Sequence, residues 1–434
     1  MIIIYFRWTI LYHNIVEYNY HFIKKKICMN NVLLFDMGGL IFKNYGKNFS
    51  RRIITEIEKK FVEKFVESVL NDIFFYYGIL NPKVILVLGE GHSWRKDIYE
   101  EYKSNRKNKY EEYNFEFIEI VKDRIIEEFG KLSILYLKHD NLEADDLISF
   151  FSRYYFDLGY NSIIMSNDAD YYQVLDYNEE RKNYIFSLSF RAETEELVSS
   201  RKMVIFDNEI KRFFVKGDDL ELSSFSRNGK KKYNMYLVGK RGFIDLLLGE
   251  YESSQDPFKV KISSIDGRDN ILSILYNNNI YLLEVDPNKR LIEKIFCGDK
   301  SDNIPSVLVN SVDKYKRGNK HIINKKDFQS IYQFISNIYK DISIDLLVEN
   351  KNNILIEILN LIEKKKGIQI KFDEFLKNLK FSYKLVSFKE IPENYMRDVL
   401  NFIKSINLES FRIDKNTFTE YIKEFYNKKY SLSV

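Results

Sequence analysis

Acidic residues occur in three short clusters that could together hold divalent metal ions. The clusters lie within Glu143–Asp146, Asp168–Asp170 and Gly298–Asn303, and Asp36 precedes them in the chain. Carboxylates that converge on one pocket raise one another's pKa and destabilise the fold unless bound cations offset their charge. Oxygen ligands favour Mg²⁺ or Mn²⁺ over zinc, and two such ions can stabilise both the attacking and the leaving oxygen of a phosphodiester. The implied chemistry is metal-dependent phosphodiester hydrolysis.

Predicted strands end shortly before most of these acids. Short apolar, β-branched runs alternate with segments of helical periodicity, which predicts an α/β fold with a largely parallel central sheet and helices on both faces. The carboxyl ends of parallel strands meet at one edge of a sheet, so acids placed there would share a site. The predicted strands and the acids that follow them are Asn31–Phe35 with Asp36, Lys83–Leu88 with Glu90, Ser133–Lys138 with Glu143, and Ser162–Met165 with Asp168.

Ordinary structural roles could also account for single acids. Acids in the first turn of a helix are favoured by the helix dipole, which suffices for the first cluster taken alone. Asp168 and Asp170 could cap a turn, and Asp299 and Asp302 lie in turn-forming Gly-Asp and Asp-Asn pairs. Recurrence at successive strand ends favours metal ligation, whereas Glu90 is equally compatible with a metal ligand and with a solvated loop acid.

Composition excludes several classes of protein. The 434-residue chain is 45% hydrophobic and 30% charged, which is typical of a globular protein with a sizeable core. Its two cysteines lack CxxC spacing and its five histidines are scattered, which argues against a disulfide framework or a structural zinc site and fits a reducing cytoplasm. Charged and polar residues interrupt the apolar N-terminus, which predicts neither a membrane span nor a secretory signal. A net charge of only +4 does not by itself identify a nucleic-acid binder.

The hydrophobic pattern of the sequence changes along the chain and predicts four segments. Met29 directly precedes the first clean strand and is a candidate for the native start. Short alternating runs such as Tyr233–Val238 and Asn279–Val285 indicate β-structure, and the later chain has helical apolar spacing. We therefore expect an N-terminal extension over 1–28, an α/β unit over 29–190 that carries most of the acids, a β-rich insertion over 191–290, and a helical region over 291–434.

Basic and aromatic residues alternate between positions 94 and 110. Such a run is often only a solvated face, but it directly follows the strand that ends before Glu90 and suits phosphate contact and base stacking. We interpret it as a substrate-binding segment. The predicted nucleic-acid contacts are Trp94, Arg95, Lys96, Tyr102, Lys103, Arg106 and Lys107.

With these motifs in order, the chain resembles the 5′-3′ exonuclease and flap endonuclease family, and within it the T-even phage RNase H type. The resemblance covers residues 31–190 and 291–410 and leaves out the N-terminus and the insertion. It implies a PIN-like catalytic nuclease core over 29–190 with a helical arch near 91–125, and a C-terminal region of the helix-hairpin-helix type. The segments that carry it are Leu33–Asp36, Trp94–Tyr99, Tyr102–Arg106, Leu142–Asp146, Ser166–Asp170 and Gly298–Pro305.

The resemblance also implies roles for individual residues. Two Mg²⁺ ions, with Mn²⁺ as an alternative, would be held by carboxylates, and Asp36 and Asp168 would be catalytic through them. Lys103 and Arg106 match basic residues of the arch that contact the scissile phosphate, and Lys103 could stabilise charge in the transition state. The full set of candidate metal ligands is Asp36, Glu90, Glu143, Asp145, Asp146, Asp168, Asp170, Asp299 and Asp302.

The function implied by the resemblance is removal of RNA primers and flaps during DNA replication. The expected substrates are DNA and RNA–DNA duplexes with 5′ ends or flaps, and a single-strand-binding protein and a sliding clamp are expected partners. No membrane partner is expected. The protein would act in the cytoplasm, which for a bacteriophage protein is that of the host.

Two departures from the family pattern keep two alternatives open. Glu90 stands where the family usually has Asp, and Ser306–Ser311 lacks the glycines of the family's hairpin, so no K⁺ site is expected. One alternative is a PIN-like endoribonuclease, which shares a carboxylate cage on a similar sheet. The other is a noncatalytic protein that binds nucleic-acid junctions.

Overall fold

The structure is a computed structural model in which the chain divides into two compact units. The first unit comprises residues 1–91, 112–285 and 398–434, and the second comprises residues 92–111 and 286–397. The predicted N-terminal extension and Lys107 lie outside the described residues. The residues that the structure describes are 30–49, 59–80, 82–106, 113–193, 232–240, 242, 259–265, 269–275, 279–308, 323–338, 352–405, 413, 416–421 and 424.

A mixed sheet forms the centre of the first unit. Its strands follow the order β3-β2-β1-β4-β6-β7-β10-β9-β8, with β5 pairing β6. The five strands from β3 to β6 in this order are mutually parallel. Most of their apolar side chains are buried, as expected for parallel strands covered on both faces. The strands are β1 Asn31–Asp36, β2 Val84–Gly89, β3 Leu135–Lys138, β4 Asn161–Met165, β5 Asp176–Asn178, β6 Asn183–Glu193, β7 Lys232–Gly239, β8 Lys259–Ile265, β9 Asp269–Leu275 and β10 Asn279–Glu284.

Helices connect the parallel strands and pack against the sheet. The chain moves from β1 to β2 to β3 in one direction and then returns to β4 on the other side of β1. Because such crossovers are right-handed, the reversal sends α5 to the sheet face opposite α1, α2 and α4. The fold class predicted from the sequence is confirmed. The helices of this unit are α1 Met37–Phe49, α2 Lys59–Leu80, α4 Phe115–Lys131 and α5 Ala144–Asp157.

The described part of the insertion extends the central sheet. β7 pairs antiparallel with β6 from Ser187 to Glu193, and β10 then pairs parallel with β7. The alternating runs at 233–238 and 279–285 lie almost entirely within β7 and β10. The insertion therefore contributes to the same sheet as the predicted nuclease core.

A close backbone contact holds the loop after β2 against the loop after β3. The Gly91 amide donates a hydrogen bond to the Leu142 carbonyl at 2.8 Å. A Cβ atom built on Gly91 would lie 1.9 Å from the His139 carbonyl oxygen and 2.7 Å from that of Asp140. Both atoms belong to the backbone, so no side-chain rotation can relieve the overlap. Only glycine permits this approach of the two loops.

We expect Gly91→Ala to destabilise the protein by about 1 to 3 kcal/mol, because the added methyl group overpacks a backbone contact. Urea denaturation followed by circular dichroism measures the change. Gly130→Ala in α4 is the matched control, since a Cβ atom there meets nothing within 4 Å. It should raise stability by about 0.4 to 1 kcal/mol. Equal effects of the two substitutions would contradict the contact.

The second unit is helical and has its own apolar core. Four of its described helices bury apolar side chains in one cluster. Ile295, Ile331, Ile358 and Leu379 are one residue from each of these helices. Tyr102 belongs to the same cluster. Residues 92–106 therefore pack with the C-terminal helices, although the sequence assigned them to an arch of the catalytic core. The helices are α3 Arg95–Ile98, α6 Pro287–Cys297, α7 Lys325–Ile338, α8 Asn352–Lys366, α9 Phe372–Val386 and α10 Glu393–Ser405, the last of which continues into the first unit.

Within the part of the chain that the structure describes, no helix combines the length and apolarity needed to cross a bilayer.

Candidate metal centre

Asp36 and Glu90 lie at the carboxyl ends of adjacent parallel strands. The register pairs Asp36 with Leu88, so the loop residue Glu90 follows two positions later. A Cβ atom built on Gly38 would lie 3.3 Å from Asp36 Oδ1 and 3.8 Å from Glu90 Oε1. Both carboxylates therefore face the same small space beside the first turn of α1. Asp36 also accepts a hydrogen bond from the Gly39 amide at 2.9 Å, which caps that helix.

The acidic start of α5 brings three carboxylates together. Single oxygen atoms of Glu143, Asp145 and Asp146 all lie within 4.8 Å of one another. Asp146 is fully buried and accepts a hydrogen bond from the Glu143 amide at 3.2 Å. Asp145 accepts one from the Asp146 amide at 2.9 Å. Capping thus fixes the orientation of these side chains, so the structural role anticipated from the sequence coexists with a geometry that suits a cation.

Asp168 and Asp170 follow β4 at the same edge of the sheet. The register pairs Phe35 with Met165, which places the end of β4 beside the end of β1. Asp168 is exposed, and its Oδ1 accepts a hydrogen bond from the Asp170 amide at 2.9 Å. Asp168 therefore caps a turn, which is the ordinary structural role that the sequence also allowed for this pair of acids. Because β1 and β4 flank the point where the strand order reverses, this edge is where α/β sheets usually bind ligands.

Tyr171 is a residue of this region that the sequence interpretation missed. It lies in the short 3₁₀ helix Ala169–Val174 and is only 1% exposed. Burial raises the pKa of its hydroxyl well above the ordinary value, and the negative charges of four carboxylates add to the rise. Its position directly after the candidate ligand Asp170 was the feature of the sequence that could have identified it. The four carboxylates whose charge acts on this one hydroxyl are Asp36, Asp145, Asp168 and Glu90.

The donor set of the first unit fits a hard divalent cation. The converging side chains are carboxylates, and no histidine or cysteine belongs to the Glu143–Asp146 group. Carboxylate oxygens are the usual ligands of Mg²⁺ and Mn²⁺, and uncompensated carboxylates at this spacing repel one another. The three strand-end acids Asp36, Glu90 and Asp168, together with Asp145 at the start of α5, could therefore hold such an ion.

Asp299 and Asp302 lie in the second unit, and their charges are paired there. Lys294 Nζ lies 2.5 Å from Asp299 Oδ2, and Arg106 forms an ion pair with Asp302. Burial alone would raise the pKa of Asp299, but the charge and hydrogen bonds of Lys294, together with those of Ser301, lower that pKa to about 2. Their assignment as metal ligands stays a prediction.

Three of the predicted nucleic-acid contacts are buried inside the second unit. Trp94, Arg95 and Tyr102 are each 2% exposed. Arg95 Nε donates a hydrogen bond to the Leu385 carbonyl at 2.8 Å, and its guanidinium lies 4.7 Å from the centre of the Trp94 ring. Such side chains have no surface with which to stack on bases or meet phosphate. The structure corrects their interpretation: in this conformation they attach the segment to the C-terminal helices.

The remaining basic residues of the segment keep part of their surface in solvent. Lys96 is exposed, and Lys103 and Arg106 are partly exposed. The ammonium group of Lys103 lies 5.0 Å from the centre of the Tyr102 ring. Arg106 is already engaged by Asp302. Lys103 and Lys96 are therefore the described members best placed to meet a phosphate.

We expect Arg95→Leu to destabilise the protein by about 2 to 3 kcal/mol. The substitution removes the hydrogen bond to the Leu385 carbonyl and a largely desolvated cation–π contact. Urea denaturation measures the loss, and Lys377→Ala on the exposed face of α9 provides a control that should stay within about 0.5 kcal/mol of the parent. An unchanged stability with weakened DNA binding would instead restore the surface role predicted from the sequence.

We compared the chain with known proteins. A bacteriophage T5 D15 protein co-crystallized with metal ions is 16% identical with a TM-score of 0.38, and the match covers 91% of this chain and 99% of that one. The bacteriophage T5 D15 flap endonuclease in complex with DNA and metal ions is 15% identical with a TM-score of 0.41, and the match covers 87% of this chain and 100% of that one. The catalytic core of Rad2 in complex with DNA substrate is 12% identical with a TM-score of 0.32, and the match covers 93% of this chain and 88% of that one. No curated protein sequence matches the chain significantly.

Residues 31–206 match the family model described as the 5′-3′ exonuclease N-terminal, resolvase-like domain. The matched segment contains β1 to β6 and the strand-end acids at 36, 90, 143–146 and 168–170. Sheet order and family match therefore indicate the same fold independently of the distant structures. Residues 31–206 carry the N-terminal domain of the 5′-3′ exonuclease family, and this confirms the resemblance to the 5′-3′ exonucleases and flap endonucleases.

Proposed function

We propose that the protein is a metal-dependent 5′ nuclease that hydrolyses phosphodiesters at 5′ ends, flaps or RNA–DNA junctions. One observation carries the proposal: acids stand at the carboxyl ends of the neighbouring parallel strands β2, β1 and β4, and three more carboxylates cluster at the start of α5. Such a concentration of negative charge needs cations, and phosphate is the substrate group that divalent cations bind best. The match to the 5′-3′ exonuclease domain supports the same chemistry.

The cofactor we propose is Mg²⁺, with Mn²⁺ as the alternative, bound by two groups of carboxylates. Bound divalent cations supply positive charge at the scissile phosphate and lower the pKa of the attacking water. Asp36, Glu143, Asp145 and Asp168 would hold the first ion. Asp146 and Asp170 would support it or hold the second ion, and Glu90 is a further candidate ligand of the first unit.

Basic residues of the second unit would bind the substrate. We assign to Lys103 the stabilisation of negative charge that develops on the phosphate. Lys96 would add a screened, sequence-independent contact to the nucleic-acid backbone. The role of Arg106 would require it to leave Asp302, with which it is paired.

The biological role we propose is removal of RNA primers and flaps in DNA replication, as in phage enzymes of the RNase H type. Single-strand-binding protein and a sliding clamp are the proposed partners, by analogy with the family. The proposed location is the cytoplasm, because two cysteines without CxxC spacing fit a reducing compartment.

A cleavage assay tests the proposal. The full chain is incubated with a 5′-labelled flap duplex, an RNA–DNA hybrid with a free 5′ end, or single-stranded RNA, each with Mg²⁺ or with EDTA. Release of short 5′ products from the first two substrates only with Mg²⁺ is the expected result. Cleavage of single-stranded RNA alone would identify a PIN-like endoribonuclease, and tight binding without cleavage would identify a junction-binding protein.

A further inference from the structure

A network of hydrogen bonds holds the turn that carries Lys103. We call residues 101–106 the Lys103 turn and residues 299–304 the acidic loop; both belong to the second unit. The Lys103 amide donates to the Asp302 carbonyl at 2.8 Å. Asn105 donates through its side chain to the Lys300 carbonyl, and Arg106 pairs with Asp302. The two segments are therefore connected along their whole length.

Asn303 occupies the middle of this network. Its side-chain amide donates to the Glu101 carbonyl at 2.7 Å and to Ser104 Oγ at 3.1 Å. These two acceptors lie on either side of Lys103 in the sequence. The residue is 8% exposed, so water competes little with either bond. Asn303 thus fixes both ends of the short segment that bears the lysine.

Backbone conformation adds a second, independent observation. Lys103 has a φ of 56° and Asn303 a φ of 60°, both in the left-handed region. Asparagine tolerates this region well among non-glycine residues, whereas lysine does so at a cost. A strained lysine persists only where its surroundings impose the conformation, and such residues concentrate at functional sites. The bonds from Asn303 and Asp302 are the contacts that impose it.

The acidic loop is itself rigidly held. Asp299 and Ile304 exchange two backbone hydrogen bonds of 2.9 and 2.8 Å, which close the loop. Lys294 of α6 pairs with Asp299, and Ile304 is buried in the core of the unit. The core of the unit therefore fixes the acidic loop, and the acidic loop fixes the Lys103 turn.

We propose that Asn303 is a positioning residue that holds Lys103 in the conformation in which the lysine would contact a substrate phosphate. This inference rests on the proposed function. A displacement of about 1 Å at a catalytic group can cost about 100-fold in rate. Loss of the Asn303 amide should therefore slow turnover while leaving substrate affinity unchanged, since Asn303 is buried and its amide bonds to Glu101 and Ser104.

Asn303→Gly is the most informative variant, because glycine keeps the left-handed backbone and removes only the side chain. We expect a decrease in kcat of roughly 10- to 100-fold on the 5′-flap duplex with an unchanged Kd. Asn378→Ala is the matched control: its amide also donates to a backbone carbonyl of the second unit, that of Val307, at 3.1 Å. This control should leave kcat unchanged.

A double variant separates positioning from a merely structural role. If Asn303 acts through Lys103, then Lys103→Ala with Asn303→Gly should be no slower than Lys103→Ala alone. Additive losses, or a parent-like kcat in Asn303→Gly, would overturn the inference. Hydrogen exchange of the Lys103 amide should speed up in Asn303→Gly but not in Asn378→Ala, and unchanged exchange would also overturn it. Failure of the parent protein to cleave any substrate would instead remove the proposed function itself.

Discussion

Asp168→Asn should abolish cleavage of the 5′-flap duplex, with a loss of roughly 10³-fold or more in kcat. The substitution removes one negative charge and changes the shape of the side chain very little. Asparagine keeps Oδ1, so the hydrogen bond from the Asp170 amide and the turn after β4 should survive. The loss would therefore come from weakened cation binding. Multiple-turnover cleavage over a series of Mg²⁺ concentrations measures it, and binding of the labelled duplex in EDTA should match the parent.

Asp157→Asn provides the control for this charge change. Asp157 is the exposed last residue of α5, one helix length away from the acidic start at Ala144. Its substitution should leave kcat within about twofold of the parent. Full activity in Asp168→Asn would show that this carboxylate holds no metal, and the edge of β1 and β4 would then need another explanation.

Lys103→Ala should lower kcat by about 10²- to 10³-fold and leave Kd for the duplex nearly unchanged. A single preorganised donor that meets charge developing in the transition state is worth this much in other enzymes. Its contribution to ground-state binding is small because many other phosphate contacts share that task. Quenched-flow cleavage assays give kcat, and fluorescence anisotropy gives Kd.

Lys384→Ala is the matched control for Lys103→Ala, since Lys384 is an exposed lysine of the same unit. Lys103→Arg adds a second test, because it keeps the charge and changes the geometry of the donor. We expect it to recover only part of the rate. An equal decrease in affinity and rate in Lys103→Ala would assign the lysine to binding alone.

The sequence predicted the sheet and the place of its acids for a definite physical reason. An apolar β-branched run predicts a buried parallel strand, and an acid at its end marks the carboxyl end of that strand, where ligands usually bind. Accordingly, Asp36 is the last residue of β1, and Glu90 and Asp168 follow β2 and β4. The connection between these strand ends could be inferred because parallel strands share one direction.

The fate of the basic and aromatic segment could not be predicted in the same way. Trp94, Arg95 and Tyr102 suit both a nucleic-acid surface and an internal cation–π cluster, because the side-chain types are identical in the two cases. The choice depends on Leu385, which supplies the acceptor for Arg95 from 290 positions away. No local pattern reports a partner at that separation. Tyr171 was missed for a related reason, since a tyrosine after an acid is usually ordinary core.

The pairing of β6 with β7 also has a consequence for solubility. From Ser187 onward, the backbone groups on the outer side of β6 bond to β7. A chain shortened by removing the added strands would present that row of amides and carbonyls to solvent, and an uncovered strand of this length is a template for pairing with another molecule. By covering this edge of β6, the inserted strands therefore protect the protein against aggregation.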